Sequence, residues 1–291
     1  MILLLVVSAI WAFSFGLIKG RLAGLDPTAV AVARLVLSLA VFLPFLRTRG
    51  LGARAQLRLA AIGAVQFGAM YLLYQSSYVH LKAYQVALFT ITTPLMVALI
   101  DAAAERRWSG RFAAAAALSV AGAGVVLWQS VGQTGVAGGF VLVQLANLCF
   151  AAGQIAWRRE RRRLPQGTSD AAVFALPYAG AVLVALAYAA AAADWGAFHP
   201  SAVQWGTIAY LGVLSSGACF FLWNVGACRV NAGTLAAVNN AKFPLGVACS
   251  LLFFGEQANL PRLFAGGALM ALALRVAGPV QSKDIPNERR A

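Results

Sequence analysis

Two stretches decide the fold: YLLYQSSYVHLKAYQVALFTITTP over residues 71–94 and FLWNVGACRVNAGTLAAVNNAKFP over residues 221–244. Each opens on an aromatic residue, turns near a small one (Ala83 or Gly233) and ends on a proline inside an apolar run, Pro94 or Pro244. An acidic residue follows each, Glu105 and Glu256. Working outward, apolar runs long enough to cross a bilayer cover residues 2–18, 28–46, 57–79, 83–101 and 112–128, then 136–157, 171–193, 203–228, 233–254 and 260–278. Five spans per half is an odd number, so the second copy is inverted across the membrane. The expected fold is an all-α integral membrane protein, ten transmembrane helices as two inverted five-helix repeats over residues 1–128 and 136–278. A cytoplasmic tail over 279–291 follows. Inverted repeats of this kind are a design of membrane transporters.

Composition agrees. With 61% hydrophobic and 11% charged residues among 291, the chain has too little polar surface to cover a water-soluble globule. The net charge of +14 comes from arginines in short loops beside apolar spans, which fits anionic lipid headgroups and argues against nucleic acid. Seventeen basic residues, the run Arg158 to Arg163 among them, fall on one side, against Lys19, Arg21, Lys82 and Arg262 on the other. This excess places both termini and the midpoint loop in the cytoplasm, with the chain in the cell inner membrane. The run from Ile2 has no basic stretch before it and reads as a retained helix, not a cleaved signal peptide. Cys149, Cys219, Cys228 and Cys249 lie inside spans without a CxxC pair or a histidine at ligand spacing, so they read as packing residues. No metal site, cofactor or catalytic residue is expected: the sequence holds no HExxH, no GxSxG and no paired acids on one helix face.

Polar side chains inside the spans are few, so their spacing is informative. Gln144, Asn147 and Gln154 form one helical stripe in the sixth span, and Gln66, Tyr74 and Ser77 another in the third. Such stripes serve as interhelical hydrogen-bond glue or as the wall of a wet cavity. In the ninth span Asn239, Asn240 and Lys242 stand just before Pro244, and Lys242 lies roughly 13 Å from either end, too deep to snorkel comfortably. Every Asp and Glu falls in a loop, in the tail or at a span end, which leaves a substrate carboxylate as the expected ligand of Lys242. The same absence argues against a proton relay through a buried acid.

Arg34 lies about two turns inside the external end of its span, where its arm either reaches the interface or attracts an entering anion. Trp11, Trp223, Tyr71 and Tyr74 supply aromatic faces suited to an interface belt, although Trp223 beside Asn224 is deep enough to wall a pocket. Pro94 frees the carbonyl of Thr90, and Pro244 that of Asn240, acceptors that must meet protein, water or substrate.

The chain resembles ten-helix carriers of the drug/metabolite transporter superfamily, EamA type. The resemblance rests on WAFSFG from Trp11 to Gly16, on Arg34, and on Pro94 and Pro244 with Glu105 and Glu256 after them. A narrower likeness is to the bacterial YigM-type biotin transporters. It is carried by IWAFSF from Ile10, VFLPFLRTRG from Val41, GAVQFGAMY from Gly63, LFTITTPL from Leu88, LVQLAN from Leu142, FLWN from Phe221 and AGTLAAVNN from Ala232. The likeness implies inward movement of biotin across the inner membrane, and the inverted repeats imply that it proceeds by alternating access; the protein is expected to act as a monomer or homodimer. Export or facilitated passage of amino acids or other amphiphilic metabolites is the alternative within the superfamily. Lys242 stands where a histidine is expected in that family, and Gln85 where an acid is expected, so no ion-coupling scheme carries over. Biotin suits the residues: its carboxylate matches Lys242 or Arg34, its ureido ring matches Asn and Gln amides, and its apolar chain matches aromatic walls.

Overall fold

A computed structural model of the chain describes residues 2–104, 110–128, 135–229 and 245–277. Among these residues the regular structure is helical, with no strand. The helices are α1 (Ile2–Arg21), α2 (Pro27–Phe42), α3 (Ala53–His80), α4 (Ala83–Phe89, continued as Thr93–Ala104), α5 (Gly110–Leu127), α6 (Val136–Arg161), α7 (Asp170–Ala192), α8 (Ala202–Arg229) and α9 (Leu260–Ala277). A further helical segment covers 245–253. Six of the helices, α1, α2, α3, α6, α7 and α8, are long and apolar enough to cross a membrane. The apolar parts of α4, α5 and α9 are shorter, Ala83–Val97, Ala117–Val126 and Leu260–Ala273, and most of the ninth expected span lies outside the described residues. This is a multi-pass membrane protein, and its outer surface agrees: Leu57, Leu183, Leu252, Phe253 and Phe264 stand exposed, a face suited to lipid tails.

Local sequence sets the helix ends. Asp26 caps α2 by accepting from the Ala29 amide at 2.7 Å, and Pro27 fits the first turn because its missing amide hydrogen is not needed there. Ser201 and Gln204 cap α8 reciprocally. The first turn of α4 receives a carboxylate from the other half of the chain: Glu256 accepts from the amides of Ala83 and Tyr84 at 2.8 and 2.9 Å.

α3 and α8 are both 28 residues long and both contain a π-helical turn, Ala64–Ala69 in one and Tyr210–Ala218 in the other, that ends at the same position of each helix. α5 and α9 are 18 residues each and cross at glycines, where a Cβ on Gly122 would lie 2.7 Å from the Gly266 carbonyl oxygen. Pro94 has the local effect its chemistry requires. Helix α4 breaks into a 3-10 turn over Thr90–Thr92 just before it, and the Thr90 carbonyl is taken by the Thr93 amide and hydroxyl.

Candidate functional site

A cavity with about 610 Å3 of empty space, its open mouth included, lies between α1, α2, α3, α4, α6 and α8. Its apolar walls are Trp11, Phe15, Ile18, Met70, Ala146, Phe150 and Phe220, and its polar groups come from Ser14, Arg34, Tyr71, Tyr74, Thr90, Thr93, Asn147 and Ser215. The strongest charge among them is Arg34. Its side chain is 1% exposed, so it does not run to the interface, one of the two placements its depth allowed: it turns inward, held by groups on α3 and α8. Nη1 donates to Gln75 Oε1 at 2.9 Å, Nη2 to the Tyr71 hydroxyl at 3.1 Å and to Ser216 Oγ at 3.0 Å, and Nε to Ser216 Oγ at 3.3 Å. The guanidinium carbon lies 4.6 Å from the centre of the Tyr71 ring, over its face. All these partners are neutral. No carboxylate pairs with Arg34 among the described residues, and one of its five N–H groups remains unused.

The break in α4 and the facing turn of α6 build another wall. The Phe89 carbonyl, at the head of the 3-10 turn, accepts from Asn147 Nδ2 at 3.0 Å and Gln144 Nε2 at 3.3 Å. Asn147 Nδ2 also donates to Thr92 Oγ1 at 3.1 Å, and the single Thr92 hydroxyl hydrogen is directed to Gln144 Oε1 at 2.6 Å, with the Phe89 carbonyl also within 3.0 Å. Thr90 and Thr93 donate to the carbonyls of Ala87 and Thr90, both at 2.7 Å. The Thr90 carbonyl released by Pro94 is thus satisfied by Thr93, and the polar stripe of α6 reaches the neighbouring Phe89 carbonyl.

The remaining sequence candidates divide by place. Trp11, Tyr74, Thr90, Asn147 and Arg34 line the cavity. Trp223 and Asn224 are fully buried beneath it: Trp223 packs on Trp11 with ring centres 5.1 Å apart, and Asn224 Oδ1 accepts from Gln66 Nε2 at 3.0 Å. Gln66 therefore joins α3 to α8 and does not share a wall with Tyr74, because the π turn between Ala64 and Ala69 shifts the helical register. Gln144 supports Thr92 from behind, and Gln154 is buried farther along α6. Asn239, Asn240, Lys242, Pro244 and Glu105 lie outside the described residues. Sequence reasoning missed Gln75, Ser215, Ser216 and Thr93. The one available signal was the polarity of Gln75 and of the adjacent serines within apolar spans.

The two ends of the cavity differ. Beyond Ile18 a wider cavity of about 970 Å3 is lined by Lys19, Leu22, Asp26, Gln75, Tyr78 and Asp194 among others. Between the two stand the hydroxyls of Tyr74 and Tyr78, 2.6 Å apart, while the Lys19 ammonium donates to the Tyr78 carbonyl at 2.6 Å. At the opposite end, Phe42, Phe67, Phe174 and Tyr178 fill the space with packed rings, Tyr178 stacked on Phe67 at 4.9 Å. Farther out, the buried Glu160 of α6 pairs with Arg58 of α3 at 2.9 Å.

Comparison with known proteins gives a consistent result. Residues 1–128 match the model of the EamA-like transporter family. The chain is 39% identical to a probable biotin transporter of Pseudomonas aeruginosa, over 94% of this chain and 96% of that protein. It is 37% identical to a biotin transporter of Salmonella typhimurium (95% and 92% covered) and 38% identical to one of Escherichia coli strain K12 (94% and 91%). A solved protein crystal structure has the same fold, with a TM-score of 0.62 at 20% identity over 93% of this chain and 94% of that one.

Proposed function

This chain belongs to the EamA-like transporter family, and on that premise we propose that it is an inner-membrane secondary carrier that imports biotin by alternating access. One observation carries the substrate class: a buried guanidinium with only neutral partners among the described residues, standing on the wall of a cavity that also presents aromatic rings and hydroxyls. A cation removed from water is costly unless an anion compensates it, and a substrate carboxylate supplies that anion when the cavity is filled. The names of the relatives support biotin within that class. Lys242, Asn239 and Asn240 are assigned to the same ligand on the sequence argument.

The motion is a rocking of two inverted five-helix repeats, residues 1–128 and 136–278, in a ten-helix bundle with both termini and the tail over 279–291 in the cytoplasm. Support comes from the matched lengths of α3 and α8 and of α5 and α9, and from the matched π turns. Both halves line the cavity. The packed rings and the Arg58–Glu160 pair then form the inner closure, and the wider cavity beyond Ile18 is the outer approach.

Uptake of labelled biotin into cells that lack other uptake routes tests the reading. Expression of the chain is expected to give saturable uptake that unlabelled biotin suppresses and amino acids do not. Uptake no higher than in cells without the chain sinks the biotin assignment, and suppression by amino acids favours the wider metabolite carrier.

A further inference from the structure

The hydrogen atoms on the α4–α6 wall point away from the cavity. Thr90 Oγ1 gives its hydrogen to the Ala87 carbonyl and Thr93 Oγ1 gives its own to the Thr90 carbonyl, both at 2.7 Å. Asn147 can be oriented without ambiguity. The Phe89 carbonyl only accepts, so the nitrogen of the amide must face it, and both amide hydrogens are consumed by Phe89 O and Thr92 Oγ1. Asn147 Oδ1 is left without a donor among the described residues. These three side chains are buried, 8%, 4% and 4% exposed, yet all line the cavity. What they present to a guest is lone pairs: Thr90 Oγ1, Thr93 Oγ1 and Asn147 Oδ1.

Arg34 is the opposite case. It has no lone pair to offer, a positive charge and one N–H not engaged among the described residues. The cavity is therefore chemically polarised, with a cationic donor on α2 and an acceptor-only wall on α4 and α6. Aromatic side chains of Trp11, Phe150 and Phe220 lie among its apolar walls. A buried acceptor left without a donor is penalised, so an occupant without N–H groups at that wall is selected against.

We propose that Thr90, Thr93 and Asn147 determine specificity by accepting N–H donors, so that the substrate class is an acid with its carboxylate at Arg34 and a ring or amide bearing N–H groups at the α4–α6 wall. This rests on the import reading above, and within it fixes the orientation of biotin: carboxylate toward α2, ureido N–H groups toward Thr93 and Asn147. Acceptor walls discriminate strongly, because a ligand that cannot donate leaves several oxygens unpaired at once.

The test uses the purified full chain in detergent and the intrinsic fluorescence change on binding, since Trp11 is on the wall. Three ligands are titrated: biotin, biotin methylated at both ureido nitrogens, and octanoate, which has the carboxylate and no N–H. The expected order places biotin at least about tenfold above the other two. Thr93→Val is expected to narrow that ratio, and Thr93→Ser, which keeps the hydroxyl, to preserve it. The ratio reports recognition, since a general loss of folded protein would not alter it. Equal affinity for biotin and its dimethylated form, or an unchanged ratio in Thr93→Val, overturns the inference and leaves biotin import standing. Absence of both binding and uptake of biotin by the unaltered chain overturns the import reading and this inference with it.

Discussion

Helices α3 and α8 share a length and a π turn but use that turn differently. In α3 the turn lies where the helix backbone meets α7: a Cβ on Gly63 would stand 1.9 Å from the Pro177 carbonyl oxygen, and one on Gly68 3.0 Å from that of Ala181. In α8 it carries Ser215 and Ser216 toward α1 and α2, where Ser215 O accepts from Trp11 Nε1 at 2.9 Å and Ser216 Oγ accepts from Arg34. A π turn inserts one extra residue and swings the following side chains to a new face. The same backbone device has thus been used for close packing in one half and for presenting hydroxyls in the other. A scaffold that echoes itself still carries an asymmetric cavity, because side chains and not the backbone decide what each helix presents to its neighbours.

The largest expected effect breaks the α8 side. Arg34→Ala removes the charge that Ser216, Tyr71 and Gln75 are arranged around and leaves a bound substrate carboxylate without its cation, a loss of about 2–5 kcal/mol in binding. Biotin uptake per folded molecule is expected to fall more than about a hundredfold. Arg34→Lys keeps a cation but loses the planar fork that reaches Gln75, Tyr71 and Ser216 together, so it is expected to be intermediate. Initial uptake rates normalised to membrane-inserted protein read both, and a fully active Arg34→Ala would remove the carboxylate anchor from the scheme.

A smaller effect separates the two π turns. Gly63→Ala drives a methyl against backbone that has little room to move, an overpacking cost of about 1–3 kcal/mol, and is expected to lower the melting temperature while leaving uptake per folded molecule intact. Gly212→Ala places its methyl 2.8 Å from Leu37 Cβ and 3.2 Å from the Arg34 carbonyl oxygen. Pushing α2 from α8 lengthens the Arg34–Ser216 bonds, so uptake per folded molecule is expected to fall as well. Melting curves in detergent and uptake per inserted molecule, measured together, check the pair. Equal loss of uptake in both would mean that the halves do not divide their labour.

Much of this was legible in the sequence where a rule depends on length or on one residue's chemistry. The apolar runs found the helices, and Pro94 found the break at Thr90–Thr92, since a missing amide hydrogen acts wherever the proline sits. Asn147 stood out because an amide in an apolar span is rare and needs partners, and it lies on the cavity wall. Rules that depend on register did worse. Regular helical spacing put Gln66 and Tyr74 on one stripe, but a π turn inside α3 rotates one away from the other. Depth along α2 left Arg34 a choice between interface and cavity, because distance from the membrane surface says nothing about which neighbour a side chain faces. Ser215 and Ser216 look like packing serines until the π turn of α8 is known.

The finest probe is the polar link between the two compared helices that lies away from the cavity, Gln66 Nε2 to Asn224 Oδ1 at 3.0 Å. Neither residue lines the cavity, so the contact belongs to the packing role and its loss should be felt as stability. Gln66→Leu alone strands the Asn224 oxygen, and Asn224→Leu alone strands the Gln66 amide hydrogen. Each single change is expected to cost about 1–2 kcal/mol, whereas the double replacement exchanges a hydrogen bond for apolar contact and recovers much of that cost. A coupling of about 0.5–1 kcal/mol from the four melting curves would place the pair among ordinary interhelical bonds of membrane bundles. If Gln66→Leu instead melts normally and loses biotin uptake, the α3 turn serves the ligand too, and the site is more symmetric than the packing of its π turn implies.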